Sequence, residues 1–149
     1  MPSVSVQAAD FDISAEIDDL RSGRTDIGAV VTFTGTVRDV GGTLQNMTLE
    51  HYPGMTEAEL ERISVAAEER WPLQGTRIIH RFGTLEPGEN IVLVIALSKH
   101  RQAAFEAAMF LMDFLKSKAP FWKKEQIGDT ASWVDARESD EAALERWQK

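Results

Sequence analysis

Four polar residues, Ser98-Lys99-His100-Arg101, separate an apolar stretch from a stretch rich in Ala, Phe, Met and Leu. This change predicts a strand that leads directly into a helix, where free N–H groups and the positive end of the helix dipole face outward. A guanidinium and an imidazole beside such groups suit a phosphate or a carboxylate. The segment therefore indicates an anion site, although a polar turn with Arg101 in solvent fits the same residues.

Two lysines further along have the chemistry of an acid or a base. On the predicted helix, spacings of four, three, four and four residues place one set of side chains on a common face: Arg101, Phe105, Ala108, Met112 and Lys116. A lysine on a face that otherwise buries Phe and Met needs a partner, because a buried ammonium is costly. The turn at Pro120 should bring Lys123 back past the same helix end. Two close ammonium groups lower the pKa of one of them towards neutrality, as acid–base catalysis requires. Alternatively, both lysine stems cover Phe121 and Trp122 and keep their charges in water.

Arg38 ends a segment rich in β-branched residues, which predicts a strand over residues 28–38. Alternation along the strand predicts one face with Val31, Phe33 and Val37 and another with Thr32, Thr34, Thr36 and Arg38. The loop that follows contains Gly41-Gly42. Strand-end arginines beside loops often bind ligands. Arg38 is therefore a second candidate for anion binding, with a surface arginine beside Asp39 as the alternative.

The distribution of charge supports a local anion site. The chain of 149 residues has 16 basic and 24 acidic side chains, a net charge of −8 that disfavours broad nucleic-acid binding. Residues 98–124 nevertheless contain six basic and two acidic side chains, a net of +4. A basic island in an acidic chain favours a small anionic ligand over a polyanion, although lysines near a helix end also complement the helix dipole.

Composition excludes several classes of site. The chain has no Cys and three His residues, His51, His80 and His100, so we expect no metal site, no thiol redox chemistry and no iron–sulfur cluster. The sequence contains no phosphate-binding loop, dinucleotide-binding glycine motif, zinc-peptidase motif or nucleophile elbow. No apolar run approaches ~18 residues and the N-terminus does not resemble a signal peptide, which predicts a cytoplasmic protein that does not enter a membrane.

The elements that would position these residues alternate between strands and helices, which predicts an α+β fold in a single domain over residues 1–149. Strands are predicted at residues 4–6, 28–38, 46–52, 77–82, 91–98 and 132–136, and helices at 14–20, 56–71 and 101–118. Ser14 should cap the first helix, a capping box of Thr56 and Glu59 the second, and Ser139 a last one. The strand at 91–98 is apolar on both faces and should lie centrally in the sheet.

Seven segments, in order from about residue 28 to the C-terminus, closely resemble the large, catalytic subunit of molybdopterin synthase, the MoaE family. They are VVTFTGTVRD, LEHYPGMTE, RWPL, IIHRFGTLEPGE, SKHRQAAFEA, LKSKAPFWKKE and WVDARESD. Residues 1–27 match only weakly. The resemblance implies an α/β-hammerhead-type fold, with a mostly antiparallel sheet and two long helices, that pairs as a homodimer.

The resemblance also implies a sulfurtransferase. A small ubiquitin-like carrier subunit would bring sulfur as a thiocarboxylate on its C-terminal Gly-Gly, and each large subunit would bind one carrier, which gives a heterotetramer. The substrate would be cyclic pyranopterin monophosphate, whose cyclic phosphate opens as the dithiolene of molybdopterin forms in molybdenum cofactor biosynthesis. No cofactor is implied. The lack of Cys agrees with sulfur that arrives on another molecule.

The family's motifs fall on numbered residues of this chain. The catalytic lysine of the motif LK-x-x-APFWK falls at Lys116, and the second catalytic lysine at Lys123. Substrate-binding positions fall at Thr36, Val37, Arg38, His100, Arg101, Lys116, Lys123, Lys124, Glu125 and Arg137. We expect Arg38, His100 and Arg101 to hold the phosphate. Lys116 would act at the reacting carbons in a cavity that it shares with Arg101, and Lys123 would position the substrate or the carrier's terminus.

Two other functions remain open. A non-catalytic module that binds an anion or a carrier tail would have the same fold and the same basic pocket. A phosphate- or nucleotide-handling enzyme could use Arg101 and Lys116 on ATP, but the absence of a phosphate-loop motif disfavours it.

Overall fold

The computed structural model describes residues 2–39, 41–117, 121–128 and 130–134, together with residues 145 and 147. Within these residues the elements follow in the order β1 (Pro2–Gln7), α1 (Ile13–Arg21), β2 (Ala29–Thr36), β3 (Leu44–His51), α2 (Met55–Arg70), β4 (Leu73–Arg81), β5 (Gly83–Leu85), β6 (Asn90–Ser98), α3 (Arg101–Ser117), β7 (Phe121–Ile127) and β8 (Thr130–Val134). The two long helices, α2 and α3, have 16 and 17 residues. No helix in this described part of the chain is long and apolar enough to cross a membrane.

The first sheet has the strand order β1-β4-β6-β2, with β1 and β4 parallel and the other pairs antiparallel. β6 lies inside the sheet, as its apolar sequence predicts, and its side chains alternate between two cores. Leu93, Ile95 and Leu97 pack against α1, whereas Val92 and Val94 lie in the core that α2 and α3 cover. The predicted α+β fold, with a mostly antiparallel sheet and two long helices, is confirmed.

The second sheet has the order β5-β3-β7-β8, and its pairs are antiparallel. One of its faces packs on the larger core through Leu44, Leu49 and Phe121. Because side chains alternate along a strand, Lys123 and Glu125 lie on the same face of β7 as Phe121. The second sheet therefore carries Lys123 on the side that faces the first sheet.

α3 runs back along the strand that precedes it. Ala107 packs against Ala96 near the end of β6, and Leu111 lies in the core that also holds Val92, near the start of β6. The C-terminal end of α3 therefore lies where β6 begins. β2 finishes at the same place, since its last residue, Thr36, pairs with the first residue of β6. The end of β2, the start of β6 and the end of α3 form one side of the molecule.

The predicted start of the second helix is wrong by one residue. α2 begins at Met55 and follows Gly54, whose φ of 84° favours glycine. The Gly54 N–H donates to the Glu57 carboxylate at 3.1 Å. The predicted capping pair of Thr56 and Glu59 does not form, because the N-cap is Gly54, two positions earlier, and its partner is Glu57.

The other differences concern the ends of elements. The Asp12 carboxylate, rather than Ser14, caps α1 by accepting the Ala15 N–H at 3.0 Å. β2 ends two residues before Arg38, β4 begins four residues earlier than predicted and β8 two residues earlier. The sequence pattern does not predict β5, whose three residues pair with β3. The helix predicted after Ser139 lies outside the described residues, except for 145 and 147, and the single domain stays a prediction.

Candidate active site

The two ends of α3 hold two separate groups of predicted site residues. His100 and Arg101 stand at its start, and Lys116 lies in its last turn. Lys116 is fifteen positions after Arg101, and at roughly 1.5 Å per residue an α-helix places their Cα atoms about 22 Å apart. One chain therefore does not form the predicted cavity shared by Arg101 and Lys116. The spacing places both residues on one side of the helix, but they lie at opposite ends of it.

Close backbone packing fixes the start of α3. The Gly28 N–H donates to the Ser98 carbonyl at 3.1 Å, and a Cβ on Gly28 would lie 2.0 Å from the Lys99 carbonyl oxygen, so this approach needs a glycine. The Ser98 hydroxyl donates to the carbonyl that precedes β4 at 3.0 Å. His100 and Arg101 project from this turn and are exposed. Neither has a hydrogen bond or ion pair to another residue that the structure describes.

At the other end of α3, Lys116 and Lys123 lie near a buried imidazole. Phe121, the first residue of β7, stacks on His80 with ring centroids 3.6 Å apart. The Nδ1 atom of His80 lies 2.8 Å from the Arg81 carbonyl oxygen. Because a carbonyl only accepts, Nδ1 carries the proton and Nε2 is left as an acceptor. The ring is thus fixed in orientation and in tautomer.

Both predicted lysines act electrostatically on His80. Burial lowers the pKa of His80 most, and the charges of Lys123, Lys116 and His51 lower it further. A backbone hydrogen bond opposes them, and the pKa falls from 6.5 to about 4. The imidazole is therefore neutral at neutral pH and adds no third charge beside the two ammonium groups. Lys116 and Lys123 thus influence the same buried ring.

Reasoning from the sequence does not single out His80 as a site residue. The available signal is its place in β4, where alternation puts it on the same face as Ile78, a fully buried core residue. A polar ring at a position where the pattern predicts an apolar side chain requires a hydrogen-bond partner. That signal marks a buried polar group but not the lysines beside it, because they come from distant parts of the chain.

Lys124 lies apart from Lys123. Because alternate side chains of β7 point to opposite faces, Lys124 is on the outer face of the second sheet. Its ammonium lies 5.7 Å from the ring centroid of Trp133, its neighbour on β8. Glu125 returns to the inner face and pairs with Met47 of β3. The structure therefore groups Glu125, but not Lys124, with the inner face that carries Lys123.

The stripe predicted on α3 is partly wrong. Met112 is buried, but Phe105 is 61 % exposed, and Lys116 is exposed as well. The buried face is turned towards Ala107 and Leu111, both fully buried. The reason is that α3 packs on β6 and on the edge strand β2, so that the side of the helix turned away from these strands stays exposed. Lys116 therefore has access to solvent and needs no buried partner.

Thr36, Val37 and Arg38 lie at the same side of the molecule as the end of α3. Val37 is 2 % exposed, whereas Thr36 and Arg38 are exposed. The Asp39 carboxylate accepts the Leu44 N–H at 3.0 Å, which closes the glycine-containing loop. Arg38 has no hydrogen bond or ion pair within residues 2–39, 41–117, 121–128 and 130–134. Its guanidinium is available for an anion.

The predicted cations thus form two groups in one chain. Arg38, Lys116 and Lys123 belong to one side, and His100 and Arg101 to the opposite side. A guanidinium binds phosphate or carboxylate in a bidentate manner, and amines can transfer protons or stabilise developing negative charge. Among the residues that the structure describes, no group of three His, Asp or Glu side chains could hold a metal ion. Arg137 lies outside the described residues.

Comparisons with known proteins agree on one family. The profile of the MoaE protein matches residues 6–118. The chain is 60 % identical over 149 residues to the molybdopterin synthase catalytic subunit of Mesorhizobium japonicum, covering 99 % of this chain and 94 % of that relative. A molybdopterin biosynthesis MoaE protein from Burkholderia ambifaria has a TM-score of 0.87 at 48 % identity, covering 100 % of this chain and 99 % of that one. The molybdopterin synthase of Staphylococcus aureus has a TM-score of 0.81 at 30 % identity, covering 88 % and 96 %. The chain belongs to the MoaE family, the sulfurtransferases that are the catalytic subunits of molybdopterin synthase.

Proposed function

We propose that this chain is the catalytic subunit of a molybdopterin synthase, which transfers sulfur from a thiocarboxylated carrier protein to cyclic pyranopterin monophosphate. The observation that carries the proposal is the approach of Lys116 and Lys123 to His80, on the side of the molecule that also exposes Arg38. This group combines a guanidinium for an anionic substrate with amines for proton transfer. Membership of the MoaE family supports the same reaction.

Each residue of this group has one task in the proposed reaction. Arg38 holds the substrate phosphate through its planar pair of N–H donors. The thiocarboxylate sulfur bonds to a carbon of the substrate as a carbon–oxygen bond at that carbon breaks, and hydrolysis of the acyl–sulfur bond releases the carrier as a carboxylate. A second carrier delivers the second sulfur, and opening of the cyclic phosphate accompanies formation of the dithiolene. Lys116 moves a proton or stabilises charge at the reacting carbons, and Lys123 positions the substrate or the carrier's terminus.

A homodimer completes the site. Because α3 separates Arg101 from Lys116 by about 22 Å, two copies of α3 that pack antiparallel across a twofold axis would place Arg101 of one protomer near Lys116 of its partner. The axis would pass near Met109, midway between them. Exposed apolar side chains at this midpoint support the pairing: Phe105 is 61 % and Met109 49 % exposed, and Phe33 on the neighbouring edge strand is 40 % exposed. Their burial between two copies would be favourable.

The partner is a small ubiquitin-like carrier, and two carriers on one homodimer give a heterotetramer in the cytoplasm. The name of the Mesorhizobium japonicum relative, a catalytic subunit, describes one component of a larger enzyme and supports this assembly. A twofold dimer has two equivalent sites, which agrees with one carrier per catalytic subunit. Further substrate contacts stay predictions: Thr36, Val37, Lys124, Glu125 and Arg137.

The change Lys116→Ala tests the proposed chemistry. We expect molybdopterin formation from purified carrier thiocarboxylate and cyclic pyranopterin monophosphate to fall about a hundredfold or more, since the amine acts at the reacting carbons. Arg21→Ala is the matched control. It also removes an exposed cation from the last turn of a helix, but α1 covers the opposite face of the first sheet, so activity should stay near the wild-type rate. A folded Lys116→Ala protein with near-normal activity would remove Lys116 from the chemistry.

The alternative is a module that binds the anion or the carrier tail without turnover, because guanidinium and ammonium groups serve binding as well as catalysis. A single-turnover experiment with purified protein and an equal amount of thiocarboxylated carrier separates the two. Conversion of the cyclic phosphate supports the synthase, and binding without conversion supports the module.

A further inference from the structure

A tight turn at residues 86–89 holds the end of β2. Pro87 and Gly88 occupy its two central positions, Gly88 has a φ of 91°, and the Glu89 N–H donates to the Glu86 carbonyl at 3.1 Å. This is the pattern of a type II β-turn. Two backbone hydrogen bonds join the turn to Val37. The Gly88 N–H donates to the Val37 carbonyl at 2.8 Å, and the Val37 N–H donates to the Glu89 carbonyl at 2.9 Å. Val37 is thereby fixed after β2 has ended.

An ion pair between buried Arg81 and partly exposed Glu89 holds the turn in place. The Glu89 carboxylate accepts the Glu86 N–H at 2.6 Å and lies 3.4 Å from a terminal nitrogen of Arg81. Arg81 is only 7 % exposed. Its guanidinium also donates to the carbonyls of Ala8, at 3.1 Å, and Asn90, at 3.1 Å. A buried guanidinium is tolerated when it is paired in this way. Arg81 thus ties the turn to the chain after β1 and to the start of β6.

We propose that Arg81 and Glu89 are positioning residues for Arg38. Their ion pair holds the 86–89 turn against Val37 and so sets the direction of the backbone at Arg38, which follows β2. The inference rests on the proposed function, in which Arg38 binds the substrate phosphate. The Arg38 side chain has no partner of its own within the described residues, so its backbone determines where the guanidinium can reach. Bidentate phosphate binding is directional, and a small displacement weakens it.

The change Glu89→Gln tests this inference. The amide keeps the size of the side chain but removes the charge that faces Arg81. We expect the KM for cyclic pyranopterin monophosphate to rise about fivefold while kcat stays within about twofold, because substrate binding changes and the lysine chemistry does not. Glu86→Gln is the matched control. It removes an exposed carboxylate from the same turn, and its side chain contacts no described partner, so the KM should not change.

A double-mutant cycle shows whether Glu89 acts through Arg38. In an Arg38→Ala background, Glu89→Gln should produce no further rise in KM, whereas in an Arg21→Ala background, which should keep the wild-type activity, the rise of about fivefold should persist. A purely structural role would lower the melting temperature but would not produce this dependence on Arg38. If circular dichroism shows that Glu89→Gln does not fold, Arg81→Lys, which keeps the buried charge, enters the same cycle.

The outcomes separate the inference from the proposed function. An inactive wild-type protein, tested with carrier and substrate, would overturn the function itself. An active wild type in which Glu89→Gln leaves KM unchanged would overturn the positioning role alone. So would an equal rise in the Arg38→Ala background, or an equal rise for Glu86→Gln.

Discussion

Single residues of this protein link its stability to pH, and His80 is the clearest case. The pKa of its buried imidazole is about 4 in the folded chain, compared with 6.5 for an ordinary histidine. The unfolded chain therefore binds the proton more tightly. The contribution of neutral His80 to the free energy of unfolding is complete above pH 6.5 and is lost as the pH falls from 6.5 towards 4. The difference between the two pKa values corresponds to about 3 kcal/mol.

We expect His80→Phe to remove most of this pH dependence, because phenylalanine keeps a flat ring against Phe121 but has no proton to bind. Its stability at pH 7 should fall by about 1–3 kcal/mol, since the Arg81 carbonyl loses its donor. Urea unfolding at pH 7 and pH 5 measures both effects. His100→Gln is the control: it removes an exposed imidazole and should keep the wild-type dependence. If the stability of His80→Phe depended on pH as strongly as that of the wild type, another titrating group would be the cause.

At the scale of elements, long periodic segments are predicted well and short strands are not. The predicted strand at 91–98 and helix at 101–118 are found at Asn90–Ser98 and Arg101–Ser117. Their limits follow local signals, namely a run of apolar residues and a polar junction. β5 has three residues and forms only because Gly83, Thr84 and Leu85 pair with β3. The three residues of β5 do not indicate which strand they pair with.

The junction between β6 and α3 depends on Gly28, and Gly28→Ala should disturb it. The new Cβ would lie 2.0 Å from the Lys99 carbonyl oxygen, so backbone has to move, at a cost of about 1–3 kcal/mol. Gly75→Ala is the matched control in the same sheet, where the nearest atom, on Leu97, would lie at an ordinary 3.5 Å. Urea unfolding should show a larger loss of stability for Gly28→Ala. Equal losses would contradict the close approach.

At the scale of the whole molecule, the separation of Arg101 from Lys116 is the reason for proposing a site that two chains share. The two residues stand at opposite ends of α3, so one chain does not bring all the predicted cations together. The exposed side chains of Phe105 and Met109 lie between them on the same helix. An assembly that buries these side chains and joins the two ends would account for both observations.

Mixed dimers test this arrangement. Arg101→Ala and Lys116→Ala chains, each inactive alone, should regain about a quarter of the wild-type activity when they are coexpressed, because half of randomly formed dimers are mixed and each mixed dimer has one intact site. Separately purified chains that are mixed without exchange serve as the control. No recovery, with mixed dimers shown to be present, would mean that each chain uses its own Arg101 and Lys116.

The sequence by itself determined the chemistry of this protein. The residue types around Arg38, Arg101 and Lys116 indicate an anion and a proton-transferring amine, and the periodicity of β6 and α3 predicts the elements that carry them. These are local properties, and each can be recognised from a short stretch of consecutive residues. The segments that resemble the MoaE family indicate the reaction, and they too consist of consecutive residues.

Only the tertiary structure decided which of these groups meet. Helix length places Arg101 and Lys116 about 22 Å apart, strand alternation separates Lys124 from Lys123, and the stacking of Phe121 on His80 brings β7 to the side of Lys116. The first two outcomes follow from helix and strand geometry once the elements have formed, whereas the third depends on packing between segments that are distant in the sequence. Such contacts arise from the free energy of the whole fold, and a pattern of neighbouring residues does not record them.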